Sequence, residues 1–411
     1  MAGAMRVLYA CMVLGFTAAS AWSVRLACAD HWFRQQTIRE TEMAIALTPG
    51  QADYYLRLGL LESELNSPKA IWALQRAVAL NPSDARSWIE LGLRYESEGT
   101  PRLAEQCLLR AAEEDKQYLP RWTLANYYYR RNAVDSFWLW AKQAAAMVHE
   151  DPTALFLLCG QVVEDGALID RLNIARPDLR ARYLEYLLSR QRLDLIRPAS
   201  SYLLQETRAT DVPLLLTACD RLLESKNTAE ALDIWNTLAD SCRIPFGRLQ
   251  PAEGRVLTNG DFRVSPTLRG FDWRLPAVDG VSASGDESGG LRLSFSGGQP
   301  ENCEPLVQFV PTLEHTDYEL KFEYRTYGIP AGSGLGWRIT DQNGSTTLVD
   351  AYNLASEREE SSTISFVTPA GGRIARVSLV YRRVPGTTRI EGFIILRRVE
   401  LKPNTETARL K

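Results

Sequence analysis

ARSWIELGLRYESEGTPRLAEQCLLRA, residues 85–111, decides how the first half of this 411-residue chain folds. Trp88, Leu91, Gly92 and Tyr95 recur at three- and four-residue steps, and Ala104, Leu108 and Ala111 follow at the same steps after a short connection. That spacing puts each set on one face of its own helix. One copy earlier stand Tyr55, Leu58 and Gly59, then Ala70, Leu74 and Ala77 before Pro82; one copy later stand Trp122, Ala125 and Tyr129, with Pro152 as terminator. The interval from Tyr55 to Trp88 is 33 residues and from Trp88 to Trp122 is 34, so residues 30–152 carry an internal repeat. Bulky residues on each first helix press on alanines of the second, and glycine lets the backbones approach. Pro49 and Pro82, one repeat apart, stop the second helices because a helical proline loses a hydrogen bond and clashes with the turn before it. Each pair leaves an apolar face that only a stacked neighbour covers.

These landmarks resemble the tetratricopeptide pattern of W-x2-L-G-x2-Y, then A-x3-F, then A, with Leu108 at the phenylalanine position. Counting back from Pro49 makes Thr37–Ala46 a second helix whose first helix falls on the apolar N-terminal stretch. Past Pro152 the pattern blurs but stays helical in period. Tyr183–Ser201 reads as a helix pair broken near Arg192, with Arg197-Pro198 marking a helix start. Leu215, Ala218 and Leu222, then Ala231, Trp235 and Leu238, resemble a degenerate last repeat. The resemblance implies a protein partner on the concave surface of the first helices, which carries Arg86, Ile89, Leu93, Tyr127, Arg130 and Arg131. Against this, Arg130 and Arg131 also read as solvated cations at a helix end, where they offset the dipole. In the aromatic run Tyr127–Tyr129, with Phe137, Trp138 and Trp140 behind it, helical spacing turns Trp122 and Tyr129 inward and Tyr127 outward.

Between Arg6 and Arg25 the stretch VLYACMVLGFTAASAWSV, residues 7–24, has no charge and is about as long as a bilayer-crossing helix. It reads as an uncleaved single-pass anchor or as a signal peptide, for which Ala27-Cys28-Ala29 offers a small-residue exit, or as a buried core helix. Flanking charges are nearly balanced; the expected orientation puts the amino end inside the inner membrane and the bulk of the chain on the periplasmic side.

After Pro245 glycine, serine, threonine and valine rise, and short alternating runs replace the helical period: Leu291–Ser296, Leu306–Val310, Tyr318–Tyr324, Gly336–Thr340, Thr363–Val367, Ala375–Tyr381 and Gly392–Leu401. Asn343-Gly344 marks a hairpin, both residues tolerating positive φ. An antiparallel sandwich is expected. Leu257–Phe262 (LTNGDF), Phe271-Asp272-Trp273, then Val307–Val310 and Tyr318–Leu320, resemble in order the landmarks of a galactose-binding-like jelly roll of the carbohydrate-binding-module kind. The resemblance implies a polysaccharide held by aromatic faces and polar neighbours, for which the candidates are Tyr327, Trp337, Arg338 and Tyr352. The alternative is that Trp337 and Tyr352 pack inside the protein; Trp273 reads as a core plug. Many such modules hold a structural calcium near an acidic residue of the last strand. Arg397 and Arg398 stand there in this chain, Asp261 has no evident partner, and no ion is expected.

The remaining composition narrows the function. Hydrophobic residues at 45% and charged at 24% imply packed cores, and a net charge of −3 argues against nucleic acid. Seven scattered cysteines imply neither a zinc site nor a disulfide framework and read as small apolar core residues. His31, His149 and His315 have no metal-ligand spacing, and no nucleophile elbow, P-loop or dinucleotide fingerprint occurs. Glu359-Glu360 and Asp286-Glu287 read as solvated loop carboxylates. No cofactor, metal or catalytic residue is expected. The expected architecture is multidomain, α plus β: residues 1–29 a membrane anchor or signal segment, 30–243 an α-solenoid of tetratricopeptide-like hairpins, 250–402 an antiparallel jelly-roll sandwich, and 403–411 a tail. The expected role is a non-enzymatic, membrane-tethered scaffold of the bacterial envelope, in surface polysaccharide assembly or export. A glycan-active hydrolase or lyase and a purely structural periplasmic adaptor are the alternatives.

Overall fold

A computed structural model describes residues 2–163, 168–172, 174 and 176–404; of the expected tail, residues 405–411 lie outside the described residues. The chain divides into two units, Met1–Arg176 and Pro177–Lys411. The division falls inside the helical region, so four helices share a unit with the sheets.

The first unit is built of helices, among the described residues α1 (Ala2–Phe33), α2 (Ile38–Leu47), α3 (Ala52–Glu62), α4 (Ser67–Leu80), α5 (Ala85–Ser97), α6 (Pro101–Glu114), α7 (Tyr118–Arg130), α8 (Val134–Met147), α9 (Thr153–Gly160) and α10 (Leu168–Leu172). They pack as consecutive hairpins, α3 on α4, α5 on α6 and α7 on α8. Side chains stop the ladders where the sequence offers an acceptor: Asp84 takes the amides of Arg86 and Ser87, and Asn66 that of Lys69. The glycine of the repeat has a steric reason. A Cβ at Gly59 would lie 2.6 Å from Leu74 Cγ, and one at Gly92 would lie 2.8 Å from Leu108. Ala70, Ala77, Ala104 and Ala111 are fully buried opposite. Replacing Gly92 with valine is therefore expected to destabilise the first unit by about 1–3 kcal/mol through overpacking. Thermal unfolding checks it, with Gly50→Ala, where a Cβ meets nothing within 4 Å, leaving the transition in place.

α1 is one unbroken helix. Its stretch Tyr9–Phe33 is 25 residues long with a hydropathy of 1.4, long and apolar enough to cross a membrane. Tyr9, Met12, Val13, Leu14, Phe16, Trp22 and Val24 are exposed, whereas Ala29 is buried against α2 and α3 with Ala44 and Tyr54. Trp32 and Phe33 pack on the same cluster, and Arg25 Nε donates to the Leu47 carbonyl. The last turns of α1 thus serve as the first helix of a hairpin with α2, whose N-cap is Thr37.

In the second unit α11 (Pro177–Ser189), α12 (Leu193–Leu204), α13 (Val212–Glu224) and α14 (Thr228–Asp240) precede the strands. The break near Arg192 is present, with Gln191 at φ 55°. Pro198, however, lies inside α12 rather than at its start; the chain turns helical at Leu193, as soon as it leaves the left-handed residue. The strands are β1 (Val281–Gly285), β2 (Leu291–Ser296), β3 (Asn302–Pro311), β4 (Asp317–Tyr327), β5 (Leu335–Asp341), β6 (Thr347–Tyr352), β7 (Glu360–Val367), β8 (Ile374–Arg382) and β9 (Glu391–Pro403). They form a five-stranded sheet, β1-β2-β9-β4-β7, and a four-stranded sheet, β3-β8-β5-β6, antiparallel throughout. The sheets face each other across one core, where Phe322 of β4 lies 5.7 Å from Trp337 of β5 and Phe295 of β2 lies 6.3 Å from Tyr381 of β8. β1 and β6 were not among the expected strands; both are edges, mostly exposed or half-buried, and lack an apolar face that would mark them. The hairpin at Asn343-Gly344 exists, but only Gly344 takes positive φ (74°), its amide closing on the Asp341 carbonyl at 3.0 Å.

The landmark residues of the sandwich turn out to hold one another. Gln308, fully buried on β3, donates to the carbonyls of Thr258 (3.0 Å) and Phe271 (2.9 Å). Trp273 is fully buried, stacks on Phe262 at 5.4 Å and donates to the Asn259 carbonyl. Asp272 accepts from the Thr267 amide and hydroxyl. Asp261, for which the sequence offered no partner toward a calcium ion, pairs with Arg263 at 3.0 Å.

Candidate functional site

On the first helices of the array, Arg86 and Arg131 are exposed and Leu93 is half-buried. Ile89 is 5% exposed and Tyr127 1%, so neither is offered to a partner. This corrects the sequence reading of Tyr127 as outward. Adjacent first helices touch directly, α5 on α7, and Tyr127 donates its hydroxyl to the Pro101 carbonyl at 3.0 Å while Arg131 covers its ring at 5.4 Å. Tyr129 is the less buried of the two. Arg130 is not merely solvated: both its Nε (3.0 Å) and Nη2 (2.6 Å) reach Glu96, one repeat back. Burial raises the Glu90 carboxyl above its usual range despite Arg86 and Arg94 on either side. The face that remains is a mixed-charge surface around Arg86, Glu90, Arg94, Glu96, Arg130 and Arg131, with Leu93 as its apolar contact.

In the sandwich the four expected sugar contacts do not converge. Trp337 is fully buried among Trp273 and Phe322, so it is core; alternation along β5 turns it inward and its neighbour Arg338 outward. Arg338 pairs with Asp350 at 2.8 Å and donates to the Tyr352 hydroxyl, on the outer side of the four-stranded sheet. Burial pushes the Tyr352 phenol above its ordinary value, against the pull of Arg338. Tyr327, by contrast, lies on the five-stranded sheet, is 64% exposed and stacks on Phe393 at 5.3 Å. Phe393 was not anticipated, because its place beside Tyr327 comes from strand register alone.

The outer face of the four-stranded sheet is partly closed by α13. Asp220 accepts from the Gly270 amide at 2.7 Å and pairs with Arg274, whose guanidinium lies 4.5 Å over the Phe309 ring. Gln342 donates to the Leu223 carbonyl. A cavity of about 460 Å³ lined by Asp220, Leu223, Arg274, Phe309, Gln342 and Arg376 is left there.

Two solved structures of tetratricopeptide type and one sugar module illustrate the likeness. A CBM4 structure is similar over 36% of this chain and 98% of its own, at 13% identity and a TM-score of 0.29. PilF of Pseudomonas aeruginosa is similar over 46% and 91% at 18% identity, TM-score 0.27. YrrB, described as a TPR protein with an unusual peptide-binding site, is similar over 49% and 91% at 13% identity, TM-score 0.25. The likeness is one of fold. No family model matches the chain, and no curated protein matches it.

The carboxylate pairs are not simply solvated loop residues. Glu359 and Glu360 are exposed, but Glu360 opens β7 and Glu359 pairs with Arg397 at 3.4 Å, while Asp286 accepts from the Ser288 amide at 3.0 Å and faces the same Arg397 at 3.6 Å. The Ser288 hydrogen bond, with Arg397 beyond, holds its carboxyl below the usual range. Among the cysteines, Cys107, Cys159, Cys219 and Cys303 are buried while Cys11, Cys28 and Cys242 are exposed, so the core reading covers only the first four. Burial pushes the Cys107 thiol up to about 11, which keeps it protonated and unreactive.

Proposed function

We propose that this protein is a non-enzymatic, membrane-tethered scaffold that holds a protein partner on its helical array and a glycan on its sandwich. The observation that carries the reading is α1: a bare apolar stretch runs without a break into turns that pack as part of the first hairpin. A helix inserted in a bilayer through residues 9–24 would hold the array at the membrane surface with no flexible linker. The mixed-charge face around Arg86, Arg130 and Arg131 suits a peptide or protein partner, since arginine is a frequent interface anchor. Exposed Tyr327 suits a sugar ring. The setting we assign is the inner membrane of a bacterial envelope, amino end inside, in surface polysaccharide assembly or export. A hydrolase or lyase is the rival reading, favoured if purified protein turns over a polysaccharide; a structural adaptor is the other.

Cell fractionation with protease protection, followed by in-cell cross-linking and mass spectrometry, tests the proposal. The full chain is expected in the membrane fraction, and deletion of residues 2–24 is expected to release it. Cross-links from the α5–α7 face to one envelope protein are expected to weaken in an Arg86→Glu, Arg131→Glu variant. Full chain in the soluble fraction, or cross-links unchanged by the charge reversal, would overturn it.

A further inference from the structure

The five-stranded sheet has an outer face whose residues can be read row by row from strand register. One row runs Ser282, Ser294, Phe393, Tyr327 across β1, β2, β9 and β4. The next runs Ser284, Arg292, Ile395, Arg325. Tyr327 and Phe393 lie nearly parallel, at 19°, and the Arg292 guanidinium covers Phe393 at 3.8 Å. Phe393 is half-buried, so Tyr327 is the open end of the stack. Among the described residues no carboxylate is ion-paired with Arg292 or Arg325; Asp286 acts on Arg325 only through longer-range attraction. Past the bulge between Glu323 and Tyr324 the face changes character, and Arg398 and Lys402 are both taken up by Glu400.

We propose that these two rows bind an acidic polysaccharide, one sugar ring stacking on Tyr327 and the carboxylate of that sugar or its neighbour meeting Arg325 and Arg292. This rests on the glycan half of the function proposed above and gives it a site and a ligand class. An exposed aromatic ring on a flat sheet matches the C–H face of a pyranose. Rows on one face are two residues apart, about 7 Å at a strand rise near 3.4 Å. A carboxylate on the stacked ring or the adjoining sugar falls within an arginine's length of that spacing. Guanidinium groups bind carboxylates with two parallel hydrogen bonds, and the hydroxyls of Ser282, Ser284 and Ser294 border the same rows. Nucleic acid fits less well: Glu323 and Glu400 lie on the same face where a phosphate backbone would continue, and the chain is net negative.

The test uses the full chain in detergent with oligogalacturonate, its methyl ester, and a neutral oligosaccharide of the same length, read by calorimetry. Oligogalacturonate is expected to bind at least tenfold more tightly than its ester. Tyr327→Ala is expected to weaken all sugar binding tenfold or more. Arg292→Gln with Arg325→Gln is expected to abolish only the preference for the acid. Each variant is checked for an unchanged thermal transition, since the side chains replaced lie on an outer face. If glycan binds but Tyr327→Ala leaves it intact, the site is wrong and the glycan reading stands. If no glycan on a broad array binds, both fall. Tighter binding of a single-stranded oligonucleotide at the same variants' expense would also overturn the ligand class.

Discussion

Replacing Trp235 with alanine is expected to cost about 3–5 kcal/mol, a large share of the 5–15 kcal/mol that typically holds a domain folded. Trp235 is fully buried on α14, stacked flat on Phe246 at 5.7 Å and meeting Phe271 edge-on at 5.8 Å. Phe271 belongs to the loop that Gln308 and Val307 of β3 hold, and a Cβ on neighbouring Gly270 would come within 2.7 Å of the indole. The seam therefore cannot collapse around the vacated volume without moving backbone. Because the ring seals helix to sandwich, the loss is expected throughout the second unit: the share of far-UV helical ellipticity that α11–α14 contribute and the near-UV aromatic ellipticity of the sandwich should shift together to a lower midpoint in denaturant, leaving the first unit's helical share in place. A helical transition that moves while the aromatic one stays would show that α13 and α14 fold apart from the sheets.

Gly260→Ala is expected to cost about 3 kcal/mol through a clash that cannot relax. A Cβ there would fall 2.1 Å from the Val399 carbonyl oxygen, and the Val399 amide is tied to the Gly260 carbonyl at 2.7 Å. That pair pins the LTNGDF loop to the last strand, in the region that Gln308 and Trp273 hold from the other side. Gly285→Ala, on edge strand β1 with nothing within 4 Å of its added Cβ, is expected to change stability by less than about 0.5 kcal/mol. Comparing the two midpoints separates steric exclusion from the general effect of adding a methyl. Equal midpoints would mean that the loop is free to swing away from β9.

The repeat was legible because its signal is local: Trp88, Leu91, Gly92 and Ala104 owe their types to contacts within one hairpin, and such contacts recur whenever the hairpin does. Trp273 was legible as a core plug from its size, but the buried bonds of Gln308 to Thr258 and Phe271, 50 and 37 residues away, were not. Accessibility was not legible. Ile89 and Tyr127 were read as offered to a partner, yet both are buried, Tyr127 with its hydroxyl on the Pro101 carbonyl of α6. Trp337 and Tyr327 are both aromatic strand residues; one plugs the core and the other is exposed, and alternation alone does not say which phase faces in. β1, with the sequence VSASG, shows no alternation to read because its neighbour supplies the pairing.

Residue order along the chain was enough to reveal a helical array giving way near residue 245 to a sandwich, since periods of 3.6 and 2 and a repeat near 34 are written into spacing. Which face stayed in water, which arginine came to cover Phe393, and which ring came to stand beside Tyr327 depended on register and stacking between segments up to a hundred residues apart. Those are long-range choices, settled by how much apolar area each arrangement hides, and no window of sequence contains them.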